Sequence, residues 1–136
     1  MRDTYQVQPI GWIRKTDTAV RIDVDPALKD GLLGVEGFSH IVVCYWFHEN
    51  DNPEGRSRLQ VHPRKDPANP LTGVFATHAP VRPNPIALSV CRIIAVDATT
   101  LWIEEIDAHD GSPVIDIKCY IPNRLDPATI RLPDWV

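Results

Sequence analysis

Thr77, His78, Arg82 and Asn84 lie in one short segment, interleaved with Pro80, Pro83 and Pro85. A hydroxyl, an imidazole, a guanidinium and a carboxamide together offer donors and acceptors for a polar ligand. Each proline fixes its own φ and pushes the residue before it toward extended geometry, so these side chains are displayed on a stiff loop. Rigidly held loops are where binding groups are commonly placed, although a rigid surface turn would use the same residue types. Two further sets sit where apolar runs end. His48 and Glu49 close the run Gly37–Phe47, and Glu104, Glu105, Ile106 and Asp107 close the run that starts at Leu101. Carboxylates at a strand end can accept from hydroxyls or face a cation; they are also what a solvated strand end looks like. Alternation puts only one of Glu104 and Glu105 on a given face. Asp110, Asp116 and Lys118 read either as a polar network under a loop or as an internal ion pair.

The elements that must carry these groups are mostly strands. Tyr5–Ile13 reads as a first strand with Pro9 at an edge or bulge, and Val20–Val24 alternates strictly. Asp25-Pro26 has the form of a helix start, with Leu28, Leu32 and Leu33 as its apolar stripe and Gly34 at its end. The β-branched and aromatic run from Gly37 to His48 predicts a central strand. A polar loop, 48–53, follows. Leu59–His62, Gly73–Ala76, Ile86–Val96, Leu101–Ile106 and Val114–Ile121 read as further strands, and the segment after Pro122 carries too many prolines to be regular. Six to eight short strands with one short helix predict a mainly β, single-domain barrel over residues 1–136. Strands and long helices do not alternate, so a doubly wound sheet is not expected. With no GxGxxG after a strand and no P-loop, a nucleotide-like ligand needs another kind of pocket.

The remaining features mainly exclude. No apolar run reaches the ~18 residues of a spanning helix, and the N-terminus lacks the apolar core of a secretory signal, so a cytoplasmic chain without membrane contact is expected. A net charge of −4 argues against a generally basic coat, while Arg56, Arg58, Arg64 and Lys65 leave room for a local basic patch. Cys44, Cys91 and Cys119 form no CxxC pair or zinc-type cluster, so no metal site is expected; all three lie in apolar runs and read as buried free thiols. No side chain stands out as a general base. His40 reads as satisfying a hydrogen bond at a strand start, and neither His62 nor His109 has an identifiable partner.

Three ordered blocks, Leu33–Ile41, Gly73–Ser89 and Asp107–Tyr120, resemble the TrmO (YaeB/TsaA-like) family, and with their connections they cover roughly residues 9 to 122. Gly-Val-Phe-Ala-Thr followed by Arg-Pro-Asn-Pro-Ile is the most specific part. The resemblance implies a single-sheet β-barrel methyltransferase that uses S-adenosylmethionine to methylate N6 of threonylcarbamoyladenosine beside the tRNA anticodon. It also implies a homodimer with the cofactor near its interface. As cofactor contacts it implies His48, Glu49, Phe75, Thr77, His78, Leu88, Glu104, Glu105, Ile106 and Asp107. Toward the substrate it leaves Arg82, Asn84, Asp110 and Lys118.

The chain departs from the family pattern at His78, Ala87, Ser112 and Cys119, where the family usually has Arg, Gly, Thr and Pro. The family's proline- and glutamine-containing loop is absent between Ile13 and Val20, and no separate C-terminal domain is expected. These departures and the acidic charge keep two alternatives open. One is a cofactor-binding barrel that acts as a sensor; the other methylates a small non-RNA acceptor.

Overall fold

The computed structural model describes residues 2–136. Its strands are β1 (Gly11–Lys15), β2 (Val20–Val24), β3 (His40–Trp46), β4 (Gln60–Val61), β5 (Thr72–Gly73), β6 (Ile86–Asp97), β7 (Thr100–Ile103) and β8 (Pro113–Cys119), with one α-helix, α1 (Pro53–Ser57). Six of the strands close into an antiparallel barrel in the order β1-β2-β7-β6-β3-β8, and β4 and β5 form a separate two-stranded ribbon. The mainly β barrel expected from the sequence is the observed architecture.

Alternation builds the core. Ile13, Ile22, Ile41, Val43, Leu101, Ile103 and Val114 project inward from their strands and are almost completely buried. Between them they remove the apolar faces of all the barrel strands except β6 from water, the main favourable term in folding. The long strand β6 adds Ala87 and Cys91, then shifts register between Ile93 and Ala95, and this bulge keeps both Ile93 and Val96 packed against the core. Closure depends on β1 meeting β8. Gly11 pairs with Val114, and a Cβ at Gly11 would lie 2.5 Å from the Asp23 carbonyl oxygen on the other side, so that strand crossing needs glycine.

Several boundaries differ from the sequence reading, each for a local reason. The first strand begins at Gly11 rather than Tyr5: Pro9 has no N–H for the ladder, and the first bond to β8 is Ile10 N–H to the Val114 carbonyl, 2.8 Å. β7 stops at Ile103; after one more bond to β6, Glu104 N–H to the Arg92 carbonyl, the chain leaves the ladder and the Ile106 carbonyl accepts from the Lys15 ammonium. β8 ends at Cys119, not Ile121. Only Thr72–Gly73 of the run through Ala76 is strand; Val74–Ala76 closes into a 3₁₀ turn.

Asp25 caps a 3₁₀ helix, Pro26–Leu32, rather than an α-helix, and accepts from Ala27 N–H. Of its expected apolar stripe only Leu32 packs on the core, while Leu28 and Leu33 face solvent. The α-helix lies instead in the Asn52-Pro53 segment, where the Asn52 side chain accepts from Gly55 N–H at 2.7 Å. The thiols also separate: Cys91 is buried, Cys44 half-buried on the outer face of β3, and Cys119 exposed at the end of β8, which corrects the expectation of three buried thiols. Among the described residues no helix is long and apolar enough to cross a membrane.

Candidate functional site

The proline-rich loop, residues 77–85, folds over one end of the barrel and faces the segment 106–110. Between them lies a cleft of about 500 Å³ whose lining includes Tyr45, Phe47, Thr77, His78, Arg82, Leu88, Asp107 and His109. Its floor comes from β3 and β6. The inward phase of β3 buries the Tyr45 ring, and Phe47 beyond the strand end meets it edge-on, centroids 5.9 Å apart. β6 supplies Ile86, Ala87, Leu88 and Ser89.

The loop is stiffened by hydrogen bonds as well as by proline. Thr77 Oγ1 donates to the Val74 carbonyl at 3.0 Å and accepts from Ala79 N–H at 3.1 Å. Arg82 Nη1 donates to the carbonyls of Thr77 and Ala79, 3.1 and 3.0 Å, so its guanidinium ties the loop to itself while lining the cleft. From behind, Arg56 Nη1 donates to the Pro83 carbonyl at 3.2 Å. Arg56 is itself held by Asp51, Nε to Oδ1 2.6 Å, and lies over the Trp46 ring at 5.6 Å. Asp51 also accepts from Trp46 Nε1, and these two donors, Arg56 first, hold its carboxyl below the usual carboxylate range. Where the loop rejoins the barrel, Phe47 N–H donates to the Pro85 carbonyl at 2.8 Å.

The opposite wall is pinned at three consecutive carbonyls. Lys15 Nζ donates to those of Ile106 and Ala108, both at 2.7 Å, and the Tyr45 hydroxyl donates to that of Asp107 at 2.6 Å. Ser89 Oγ donates to the Tyr45 oxygen at 3.4 Å. Burial pushes the Tyr45 phenol above its ordinary value despite the Ser89 contact, so it remains a donor at neutral pH. Lys15 N–H also donates to Asp110 Oδ1, 2.8 Å. The Asp107 carboxylate is left exposed at the cleft. Across the mouth, His109 Nδ1 lies 3.4 Å from Glu49 Oε2, which gives His109 a partner that the sequence did not reveal.

Of the residues singled out in the sequence, Thr77, His78, Arg82, Leu88 and Asp107 therefore come together in the cleft, and Glu49 reaches its rim through His109. Ile106 is a core residue whose carbonyl anchors the wall. Others stand apart. His48 and Glu105 are exposed outside the lining, and Phe75 projects into solvent at 80% exposure. Glu104 pairs with Arg92 at 3.7 Å and borders a second depression beside Trp102. Asn84 is exposed, with its carbonyl accepting from Ile86 N–H.

Asp110, Asp116 and Lys118 form no common network. Asp110 serves Lys15, whereas Asp116 and Lys118 pair with each other at 3.6 Å on the outer surface. His62 likewise has a partner, the Asn69 carbonyl at 2.8 Å, and His40 Nδ1 meets Ser39 Oγ at 2.7 Å. No motif marked Tyr45, Asn50, Ser89 or Lys15. Only Tyr45 carried a signal: a phenol on the inward phase of an apolar strand needs a partner for its hydroxyl.

The cleft thus combines aromatic faces, a carboxylate and cationic or neutral nitrogen donors at the end of a closed barrel. Such a set can hold a ligand with an apolar ring, hydroxyls and charges of both signs.

Comparison with known proteins gives this site a context. The sequence model of the tRNA-methyltransferase O N-terminal domain matches residues 5–126. A Pyrococcus horikoshii protein named a probable S-adenosyl-L-methionine-binding protein is 43% identical over 124 residues, 91% of this chain and 88% of its own length. A mouse protein named tRNA (adenine(37)-N6)-methyltransferase is 36% identical over 104 residues, 76% of this chain but 23% of that protein. The crystal structure of TrmO from Pseudomonas aeruginosa superposes with a TM-score of 0.74 at 30% identity, covering 99% of this chain. This chain spans 63% of that neighbour's length. The cleft, the proline-rich loop and the barrel all fall inside the matched region, and the chain belongs to the TrmO N-terminal domain family.

Proposed function

We propose that the chain is an S-adenosylmethionine-dependent tRNA methyltransferase whose acceptor is N6 of threonylcarbamoyladenosine beside the anticodon. The observation that carries this reading is a ligand-sized cleft built from the proline-rich loop and the 106–110 segment within the family-matched region. Its volume falls in the ~300–1,000 Å³ range of small-molecule sites. The residues present fit the cofactor: Tyr45 and Phe47 offer aromatic faces, and the exposed Asp107 carboxylate suits ribose hydroxyls or a sulfonium. His78 and Arg82 offer nitrogen donors for a carboxylate or phosphate.

When bound, the cofactor supplies an activated methyl group on sulfur. That methyl would pass to N6 with loss of its C–S bond, and the N6 proton would go to solvent. The chain's contribution is then alignment of donor and acceptor, for which rigid walls matter more than a strong base. In this reading Thr77, His78, Leu88 and Asp107 hold the cofactor, Ile106 anchors the wall from the core, and Arg82 faces the acceptor.

Ile86, Leu88, Val90 and Ile94 are exposed apolar residues along β6, of which Ile86 and Leu88 line the cleft, and Phe75 is exposed as well. This supports a homodimer that covers these side chains, with Phe75 as a cofactor contact supplied at the interface. A cytoplasmic location follows from a tRNA substrate. Isothermal titration with S-adenosylmethionine and with its demethylated product tests the cofactor assignment. Saturable binding of both is expected, and no binding of either would overturn it.

A further inference from the structure

We infer that Lys15 is a positioning residue for the cleft: its ammonium sets the orientation of the wall that presents Asp107. This rests on the reading of the cleft as the cofactor site. Lys15 is the last residue of β1 and half-buried, on a different element from any group so far placed at the cleft. Its Nζ bonds the Ile106 and Ala108 carbonyls, and its own N–H bonds the Asp110 side chain, so one residue fixes the segment at three points. Carbonyls accepting from an ammonium form charge-assisted bonds, shorter and roughly twice as strong as neutral ones.

The geometry extends this beyond simple anchoring. The peptides are trans and planar, so the N–H groups of Asp107 and His109 point opposite to the two carbonyls that Lys15 holds. Neither N–H has an acceptor among the described residues. The carbonyl between them, that of Asp107, is taken by Tyr45, which lines the cleft. The one ammonium and one hydroxyl that fix this wall come from β1 and β3, and together they determine which way successive peptide planes face. Loss of Lys15 frees two of the three pinned carbonyls and lets the Asp107 peptide rotate, while the barrel core, which Lys15 does not enter, stays packed.

The test compares wild type with Lys15→Met, Lys15→Arg and a surface control, Lys29→Met. Binding of S-adenosylhomocysteine is measured well below the unfolding temperature, and amide hydrogen exchange is followed over residues 106–111. For Lys15→Met the expected result is a rise in Kd on the order of tenfold, faster exchange confined to 106–111, and an intact fold by circular dichroism. Lys15→Arg, which keeps a cation at that position, restores most of the affinity, and Lys29→Met behaves as wild type. Wild-type affinity and wild-type exchange in Lys15→Met would overturn the inference. So would a lowered unfolding temperature with unchanged affinity, the mark of a structural contact alone. If wild type binds no cofactor, the functional reading fails separately, and exchange over 106–111 still decides the role of Lys15.

Discussion

The Tyr45 hydroxyl reaches across the barrel end to donate to the Asp107 carbonyl at 2.6 Å, joining the floor of the cleft to its wall. Tyr45 is 3% exposed and the bond is partly buried. Removal of the hydroxyl takes away one partly buried hydrogen bond, which costs about 1 kcal/mol. Tyr45→Phe is expected to fold with lowered stability in urea unfolding and with weaker cofactor binding. The ring remains in place, so the loss reflects the hydroxyl alone.

Asp107→Ala gives the complementary outcome. The side chain is exposed and carries no fixed partner, so stability should stay within about 0.5 kcal/mol of wild type. Cofactor affinity should fall, and titration calorimetry alongside thermal unfolding separates the two. An unchanged Kd would remove the carboxylate from the site.

Arg56 joins Asp51, Trp46 and the Pro83 carbonyl, and so holds the proline-rich loop from outside the cleft. Arg56→Ala should raise amide exchange across 80–86 and weaken binding without unfolding the barrel. It should also alter the acid response. The Asp51 carboxyl is depressed in the folded state below its ordinary value of 3.8. Its contribution to stability is thus fully present above that value and is lost as the pH falls through the folded pKa. In Arg56→Ala this acid-dependent loss shrinks, which unfolding measured from pH 5 down to pH 2 would show. The pair is solvent-exposed, so the change is small.

The cysteines should react in a fixed order. Cys119 is exposed and reacts first with a thiol reagent at pH 8. Cys44 follows slowly, its thiol raised by burial and by the nearby Asp116. Cys91 is buried and pushed up to about 11, so it reacts only on unfolding. Three equally fast thiols would contradict the packing of β6 against the core.

The barrel was legible because burial imposes a period of two. Val20–Val24 alternates in sequence, the run through Trp46 is rich in β-branched and aromatic residues, and both are strands in place. Its closure was not legible, because the pairing of Gly11 with Val114 joins residues far apart in sequence with no local signature. Helical punctuation was ambiguous: Asp25-Pro26 and Asn52-Pro53 carry the same cap-and-proline signal, yet one begins a 3₁₀ helix and the other an α-helix. At the site, Thr77, His78, Arg82 and Asp107 could be found from residue type and family resemblance. Lys15 could not. Its role depends on two backbone carbonyls, and backbone geometry leaves no mark on residue identity.

Methyl transfer to tRNA is read directly from the nucleoside product. The protein is incubated with S-adenosylmethionine and with tRNA that carries threonylcarbamoyladenosine but lacks the N6 methyl group, and the digested nucleosides are analysed by mass spectrometry. Threonylcarbamoyladenosine should gain one methyl group, at a rate that falls in Asp107→Ala. Saturable cofactor binding with no methylated nucleoside formed would contradict the proposed transfer.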